Sequence, residues 1–375
     1  MARGNGAGGA TGGLHRILLT GEAAGGVWSY SLELAGGLAA AGIAVVLAVL
    51  GPPPSAAQTA EANAIPGLWV VPTNLPAVAS AADPEALRST GAVLAGLAQR
   101  VRADTVHLHT PALAAEVAWA QPVLAVVHAD FGTWWDAVHR STALPEALGW
   151  RAEVIGRGLA EADAVVAPTR SLARALSRRY RPGRSIAVVP HGRTPRPMPS
   201  HLRQPVVLTA GRLWDEGKNI AALDRAAALL DVPVLAAGPL RTPDGEAGIA
   251  LHLARPLGVL DPLTLAAHMA TATVFAAPSR HEAFGLAVLE AAQAGMALAL
   301  ADIPALRELW DGAALFFDPE DAERLADVVR RLLAAPAGHA ARARERAERY
   351  PASAMVAATL GLHTDLVRGR SILCA

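Results

Sequence analysis

Residues 273–290 read TVFAAPSRHEAFGLAVLE, and the order of residue types in this stretch decides the fold. The first six residues form a mainly apolar run of strand length, and a short polar loop follows them. Apolar residues at helical spacing then extend over 286–294. A strand with little polar alternation is typical of a parallel sheet that is covered on both faces. The stretch therefore predicts one strand–loop–helix unit of a parallel α/β sheet.

The same alternation extends in both directions along the chain. In the second half we predict strands at 206–210, 232–237, 273–278, 297–300 and 314–317. Helices are predicted there at 220–230, 263–270, 286–294 and 321–335, followed by a charged helical stretch at about 337–368. In the first half we predict strands at 16–20, 44–50, 68–72, 105–109, 123–128, 164–168 and 186–190. Helices lie between these strands, for example at 27–41, 85–101 and 171–180.

The segment HGRTPRPMPSHLRQP at 191–205 contains four prolines and few apolar residues, which is typical of a linker. We therefore predict an α/β fold of two Rossmann-like, doubly wound domains that face each other across a cleft. The first domain would span 14–190 and the second 206–354. Residues 1–13 are rich in Gly and Ala without an apolar core segment, so we expect a disordered leader rather than a signal peptide.

The 375 residues carry a formal net charge of zero, and 52% of them are hydrophobic. This composition suits large buried cores and gives no electrostatic reason to expect nucleic acid as a partner. The one cysteine, Cys374, excludes an intrachain disulfide framework and fits the reducing cytoplasm, where we expect the protein to act. No apolar run reaches the ~18–20 residues of a membrane-spanning helix.

Two cations follow the first predicted strand of the second half. Arg212 comes directly after Gly211, and Lys218 lies further along the same loop. Ligands bind at the carboxyl ends of strands in open α/β sheets, and an Arg with a Lys suits a diphosphate. A pair of surface cations is the competing interpretation. Lys218 weakens it, because it is the only lysine among 33 basic residues.

Two carboxylates flank the start of the helix predicted at 286–294. Backbone N–H groups near Phe284, Gly285 and Leu286 would point at a bound anion or at sugar hydroxyls. Carboxylates accept hydrogen bonds from sugar hydroxyls, so we predict that Glu282 contacts a hexose and Glu290 a ribose. The competing interpretations are helix-dipole compensation by Glu282 and a solvated helix face for Glu290.

Gly25 and Gly26 lie between the first predicted strand and the first predicted helix. Glycines at this point let backbone N–H groups approach a phosphate at a helix N-terminus, although a purely steric role explains them equally well. The segment lacks the GxGxxG spacing of dinucleotide-binding proteins, which argues against an NAD-dependent dehydrogenase.

Three motifs follow one another along the chain: GGV at 25–27, GRLWDEGKN at 211–219 and EAFGLAVLE at 282–290. In this order the chain resembles the retaining GT-B glycosyltransferases of family 4. The resemblance covers about 14–370 and is much stronger after residue 205. It implies two Rossmann-like domains, with the donor bound mainly to the second and the acceptor mainly to the first.

The resemblance also implies individual roles. Arg212 and Lys218 would hold the diphosphate of a nucleotide-sugar donor, and Glu290 would hold its ribose. Glu282, with the 284–286 amides, would hold the transferred sugar. The C-terminal helix, at about 355–370, would cross back to the first domain.

Four side chains at or beyond the strand predicted at 123–128, and one on a neighbouring strand, complete the candidate site. The resemblance places His128 near the donor sugar, in preference to a satisfied core histidine. Weaker candidates for the acceptor side are His109, Asp130, Trp134 and Trp135. The two tryptophans could stack on a sugar face or could simply pack in the fold.

No Asp-x-Asp sequence and no zinc-like His/Cys spacing occurs, so we predict no metal and no cofactor beyond the nucleotide sugar. The cations would then neutralise the charge of the leaving diphosphate. The chain departs from the family pattern at His191-Gly192-Arg193, where Asn-Gly and an acidic residue are frequent, and at Ala297, where proline is common. The arginines of 170–184 favour a solvated helix over peripheral contact with an anionic membrane.

The sequence thus favours a metal-independent, retaining transfer of a hexose from a UDP-sugar, with a GDP-sugar as the second choice, to an acceptor hydroxyl. The acceptor could be a small molecule, a lipid-linked molecule or a glycan. Two other hypotheses stay open. One is an epimerase or phosphorylase with the same fold, and the other is a non-catalytic subunit that binds nucleotide sugars.

Overall fold

Two parallel β-sheets organise the chain in the computed structural model, which describes residues 13–140, 142–196, 202–243 and 245–370. Most of the predicted leader, residues 1–12, lies outside the described residues, and so does Cys374. Within the described residues no helix is long and apolar enough to cross a membrane.

The first sheet contains seven described strands, all paired in parallel, in the order β3-β2-β1-β4-β5-β6-β7. These strands are β1 (Arg16–Glu22), β2 (Ala44–Leu50), β3 (Leu68–Pro72), β4 (Thr105–Leu108), β5 (Val123–Val126), β6 (Ala164–Ala167) and β7 (Ala187–Val188). The helices of this half are α1 (Gly25–Ala40), α2 (Ala56–Asn63), α3 (Pro84–Arg100), α4 (Phe131–Val138), α5 (Glu146–Glu161) and α6 (Arg170–Tyr180).

The second sheet contains six described strands, also parallel, in the order β10-β9-β8-β11-β12-β13. These strands are β8 (Gln204–Ala210), β9 (Val234–Ala237), β10 (Arg255–Gly258), β11 (Ala272–Ala277), β12 (Ala297–Ala301) and β13 (Leu315–Phe317). The helices are α7 (Ile220–Ala227), α8 (Pro262–Thr271), α9 (Leu286–Gln293), α10 (Pro304–Trp310), α11 (Ala322–Ala334), α12 (Pro336–Ala347) and α13 (Ala352–Val367).

The central strands of both sheets are buried on both faces, as their apolar sequences require. All residues of β11 and β12 are buried, and Phe275 and Trp310 are among the largest side chains of the second core. In each sheet the chain order reverses beside the first strand, because β1 lies between β2 and β4, and β8 between β9 and β11. Such reversals open crevices at the carboxyl ends of the strands, where ligands bind in this class of fold.

Helix α13 returns to the first sheet. A side chain at Gly37 of α1 would overlap Val356 of α13, so the two helices approach closely at this glycine. His363, which is fully buried, lies 3.2 Å from the Thr105 hydroxyl and 3.1 Å from His107 of β4. The last helix is therefore part of the core of the first half, although it follows the second half in sequence.

The two halves also meet at the start of α6. The Glu308 carboxylate of α10 accepts hydrogen bonds from the backbone N–H groups of Arg170, at 2.8 Å, and Ser171, at 2.7 Å. The Thr169 hydroxyl donates to the Ala283 carbonyl at 3.1 Å. A carboxylate from the second half thus satisfies N–H groups that helix geometry leaves without a partner in the first half.

The structure differs from the sequence prediction in several elements. The prediction omitted β10, a short and largely exposed edge strand (RPLG) that contains proline and glycine. The charged stretch expected at 337–368 is two helices, because Pro351 interrupts it and begins α13. The basic stretch around α6 is not wholly solvated, since Arg179 pairs with Asp136 and Arg184 donates to the carbonyl oxygens of Ala160 and Ala162.

Gly158 of α5 packs directly against the Pro111 carbonyl, and an added methyl group would overlap that oxygen. We expect Gly158→Ala to lower the free energy of unfolding by about 1–3 kcal/mol, because neither backbone can yield without strain. Gly149→Ala in the same helix is the matched control, since its methyl group meets no atom within 4 Å. That control should be stabilising by roughly 0.5–1 kcal/mol. Equal unfolding energies in urea for the two variants would contradict the packing argument.

Candidate functional site

Two loops at the carboxyl ends of β8 and β11 form one cavity. It is lined by the predicted residues Gly211, Lys218, Glu282, Gly285 and Leu286. The loops are joined through the Gly217 carbonyl, which accepts the backbone N–H groups of Arg280, at 2.8 Å, and His281, at 3.2 Å. The structure thus brings together residues that are more than 60 positions apart in the chain, as their place after adjacent strands predicts.

Lys218 forms an ion pair with Glu282 inside this cavity. The Lys218 Nζ donates to Glu282 Oε1, which also accepts a hydrogen bond of 3.0 Å from the Ser279 hydroxyl. The lysine side chain is 22% exposed and the glutamate 10% exposed, so both groups face the cavity from protected positions. An ammonium group has three N–H donors, and the pair with Glu282 leaves others for a ligand.

Asp215 holds the predicted cation Arg212. The Arg212 Nη2 donates to Asp215 Oδ2 at 2.7 Å, and Oδ1 accepts the Gly217 N–H at 2.8 Å. Oδ1 also accepts the Trp134 indole N–H at 3.0 Å, from helix α4 of the first half. Burial tends to raise the pKa of Asp215, but the Arg212 and Lys218 charges and the Gly217 N–H together hold it below its usual value. Arg212 itself is half-exposed and therefore reachable by an anion.

The N-terminus of α9 faces the same cavity. Gly285 precedes it with φ +89°, a left-handed conformation that glycine adopts at little cost, and no side chain caps the helix. The N–H groups at this helix start favour an anion or a hydroxyl oxygen. Phe284 does not line the cavity, and its ring is buried between His191 and Tyr350.

The N-terminus of α1 approaches from the opposite side of the cleft. Gly25 has φ +64°, and Ala24 at the cap position makes no side-chain hydrogen bond. A methyl group on Gly26 would lie 3.2 Å from the Leu286 side chain, so no larger residue fits there without displacing it. The starts of α1 and α9 thus lie close together across the cleft.

His128, which follows β5, packs against the buried rings of Tyr30 and His191. Its Nδ1 is 3.2 Å from His191 Nε2, and the Tyr30 ring packs edge-on at 4.4 Å between centroids. Burial, followed by the neighbouring histidines, lowers the pKa of His128 well below its usual value, so the ring is neutral. Its Nε2 has no hydrogen-bond partner among the described residues. A neutral ring nitrogen can donate or accept according to its tautomer, but this nitrogen is buried, so a sugar hydroxyl reaches it only if the surrounding side chains move.

Both ring nitrogens of His109 are already engaged. Nδ1 is 2.8 Å from the Thr20 hydroxyl, and Nε2 is 3.1 Å from Glu22 Oε1. Glu22 ends β1 just before Gly25, and its carboxylate is about one-third exposed. Burial tends to raise the pKa of Glu22, but His109 and the charge of Arg212 across the cleft keep it below its usual value. The more exposed group of this pair is therefore Glu22, with His109 buried behind it.

The other predicted acceptor-side residues serve the fold. Asp130 is 2% exposed, and its carboxylate accepts the Gly132 and Thr133 N–H groups at the start of α4. It also accepts the Tyr180 hydroxyl at 2.7 Å, so Asp130 is a helix cap rather than a free ligand group. Trp134 is bound to Asp215, and the Trp135 indole donates to the Thr142 carbonyl at 2.9 Å. Neither indole face is arranged as an isolated stacking platform, because each packs on neighbouring rings.

Glu290 lies apart from the cavity, on the second turn of α9. Its carboxylate accepts hydrogen bonds from Arg193, in the segment that connects the two halves.

Within the described residues no group of three or more His, Cys, Asp or Glu side chains is placed to hold a metal ion.

Comparison with known proteins then decides the family. The model "Glycosyltransferase Family 4" matches residues 24–195, and the model "Glycosyl transferases group 1" matches residues 204–335. The chain belongs to the family 4 glycosyltransferases. Together the two matches cover every described strand except β1, and every predicted site residue of this GT4-type protein.

A curated relative and several solved structures resemble this family 4 chain. The phosphatidyl-myo-inositol mannosyltransferase of Mycolicibacterium smegmatis is 35% identical over 182 residues, which are 44% of this chain and 46% of the relative. The chain therefore matches about half the length of that relative. The structure of sucrose-phosphate synthase from Thermosynechococcus elongatus has a TM-score of 0.76 at 19% identity, covering 95% of this chain and 100% of that one. Anabaena HepE, solved with UDP-glucose, has a TM-score of 0.68 at 16% identity, covering 92% and 99%.

These structural likenesses confirm the GT-B fold predicted from the sequence. Glu22, Asp215 and Arg193, which contact the candidate site residues of this GT4-type protein, were not predicted from the sequence. A signal existed for Glu22, because it ends a strand beside the Gly25–Gly26 turn, and for Arg193, because it departs from the family pattern. For Asp215 the only signal was its place between Arg212 and Lys218.

Proposed function

We propose that the protein transfers a hexose from a nucleotide-diphosphate sugar to an acceptor hydroxyl, with retention at the anomeric carbon and without a metal ion. A UDP-sugar is the favoured donor and a GDP-sugar the second choice. The observation that carries this proposal is the cavity in which Lys218, Glu282 and the start of α9 meet beside Arg212. The structures of HepE in complex with UDP and with UDP-glucose support a uridine nucleotide.

In this proposal Arg212 and Lys218 bind the diphosphate. Lys218 keeps one N–H on Glu282 and directs the others at phosphate oxygens, while Arg212 reaches them from its half-exposed position beside Asp215. Two fixed cations beside the leaving group stabilise the negative charge that grows as the sugar departs. They supply the electrostatic role that a metal ion has in other transferases, which is why we propose a metal-independent reaction.

Glu282 and His128 would hold the sugar. Lys218 and Ser279 both occupy Glu282 Oε1, so Oε2 faces the sugar hydroxyls, together with the N–H groups at Gly285 and Leu286. His128 would contribute its Nε2 from the first domain. Glu290 would accept a hydroxyl of the ribose.

The acceptor would enter beside Glu22. The hydroxyl oxygen of the acceptor then attacks the anomeric carbon on the face that the diphosphate leaves. The bond from that carbon to the phosphate oxygen breaks as the new C–O bond forms, and the phosphate oxygen takes the acceptor proton. Glu22, ionised and held by His109, orients the acceptor hydroxyl.

The single cysteine remains our reason to propose the cytoplasm as the compartment.

Nucleotide binding gives the first test. UDP at 100 times its Kd should raise the free energy of unfolding by ~2.7 kcal/mol, because it binds only the folded state. Thermal-shift titrations with UDP, GDP and ADP, with matching sugar nucleotides and with EDTA present, would rank the bases. Equal or absent stabilisation by all three nucleotides would contradict the proposed donor site.

NMR of the reaction gives the second half of this test. UDP-glucose is incubated with the enzyme and EDTA, with and without a panel of hydroxylated acceptors, and the anomeric coupling constant of the product is measured. We expect transfer with retention only when an acceptor is present. Conversion of the donor alone to an isomeric sugar nucleotide would instead establish an epimerase.

A further inference from the structure

Arg193 occupies a fixed position between the two domains. Its backbone N–H donates to the Tyr350 carbonyl at 3.1 Å, and its carbonyl accepts the Gln293 amide at 3.0 Å. The side chain is only 9% exposed. The backbone of Arg193 is held at both its N–H and its carbonyl, and the side chain is shielded from water. The guanidinium therefore has little freedom to leave its partners.

The Arg193 guanidinium donates two hydrogen bonds to one oxygen of Glu290. The Nε donates to Glu290 Oε1 at 2.9 Å, and Nη2 donates to the same oxygen. Among the described residues no hydrogen-bond partner reaches Oε2, and the Glu290 side chain is one-quarter exposed. The arrangement therefore fixes the carboxylate through Oε1 and leaves Oε2 without a partner among the described residues.

The remaining arm of Arg193 reaches the first domain. Its Nη1 lies 3.5 Å from Glu33 Oε2 on α1, and Glu33 Oε1 accepts the Thr194 N–H at 3.2 Å. A shielded cation with two carboxylate partners holds both carboxylates in place, because leaving the cation unpaired is unfavourable. The Glu290 carboxylate is thus held from one side by a residue that also contacts the opposite domain.

We infer that Arg193 is a positioning residue, which fixes Glu290 so that its Oε2 accepts a ribose hydroxyl of the donor nucleotide. The inference rests on the proposed function, in which Glu290 meets the ribose. Arg193, which departs from the family pattern, would thereby give this chain a preference for ribonucleotides. A charged acceptor of this kind forms a stronger hydrogen bond than a neutral one.

Calorimetric titration with UDP, 2′-deoxy-UDP and 3′-deoxy-UDP tests the inference. The wild type should prefer UDP to at least one deoxy analogue by about 10-fold, as expected for one hydrogen bond to a charged group. Arg193→Met should weaken UDP about 10-fold and leave the affinity for that analogue unchanged, so the preference disappears. Glu290→Gln should give the same pattern, and the double variant should add little to either change.

Arg193→Lys separates charge from geometry, because an ammonium cannot place two N–H groups on one oxygen in the same way. We expect it to restore stability without restoring the ribose preference. In turnover assays Arg193→Met should raise KM for UDP-glucose while kcat at saturating donor stays near that of the wild type.

Each outcome has a distinct meaning. An unchanged ribose preference in Arg193→Met, or equal weakening of all three nucleotides, would overturn the positioning role and leave the proposed function intact. Failure of the wild type to bind any nucleoside diphosphate would overturn the proposed function itself, and this inference with it.

Discussion

Replacing Lys218 by alanine will lower kcat by ~10²–10³-fold, the loss expected when one fixed donor to a developing negative charge is removed. The same range is expected for Arg212→Ala. Both cations stand beside the leaving diphosphate, so their contribution grows as the bond to the sugar breaks. The loss should therefore appear in kcat as well as in kcat/KM, as for an interaction that strengthens in the transition state.

The two variants differ in their effect on the ground state. Lys218→Ala also leaves Glu282 without its ion-pair partner, whereas Arg212→Ala leaves Asp215 with the Trp134 and Gly217 donors. Arg225→Ala is the matched control, because it removes an exposed cation of the same domain that does not line the cavity. Steady-state rates of UDP release should separate the three variants. Wild-type turnover in both Lys218→Ala and Arg212→Ala would refute the proposed role of the cations.

Lowering the pH from 7.5 to 5.5 will reduce the free energy of unfolding by about 5 kcal/mol, mainly through four histidines whose pKa values are lowered by loss of contact with water. They are His107, His128, His191 and His363. Burial is the largest cause in each case, and it lowers the pKa of His191 and of His363 to about 3. The neighbouring histidines further lower the pKa of His107 and His128, and Arg193 further lowers that of His191.

The sign follows from proton uptake. Below the unfolded pKa of about 6.5, the unfolded chain binds protons at these histidines while the folded chain does not. Stability is therefore complete above pH 7 and is lost as the pH falls towards the folded pKa values. Each histidine contributes about 1.4 kcal/mol at pH 5.5. The pKa values of Asp215 and Glu22 are also lowered, but these carboxylates affect stability only below about pH 5.

Urea unfolding at the two pH values measures this effect. His363→Gln should reduce the difference between the two unfolding energies by about a quarter, because one of four titrating groups is removed. Val356→Ala, on the same helix α13, should lower stability equally at both pH values. Equal unfolding energies at pH 7.5 and 5.5 would contradict the prediction.

The fold was predictable because its signals are local. Apolar runs of strand length, helix periodicity and a proline-rich connection need no knowledge of distant contacts, and the observed strands lie where these patterns predicted them. The exception is β10, whose sequence RPLG has no apolar run because the strand lies exposed at a sheet edge. The cavity around Lys218 and Glu282 was predictable for a related reason, since both residues follow strands that are neighbours in the sheet.

The remaining site residues depend on contacts between the domains, which no local pattern encodes. The Trp134–Asp215 hydrogen bond joins residues of the two halves that are 81 positions apart. The Arg193–Glu290 pair joins the connecting segment to the second half across 97 positions. Asp130 illustrates the converse error. Its place after a strand suggested a ligand group, but the same place is where a helix requires a cap.

The ion pair between Lys218 and Glu282 also has a consequence for chemical labelling. In a chain whose other basic side chains are arginines, lysine-directed reagents find one side-chain amine, and it lies inside the cavity. Glu282 must release that amine, and the amine must lose its proton, before acylation can occur. Occupancy of the cavity could therefore be followed by mass spectrometry as protection of a single residue, without any enzymatic assay.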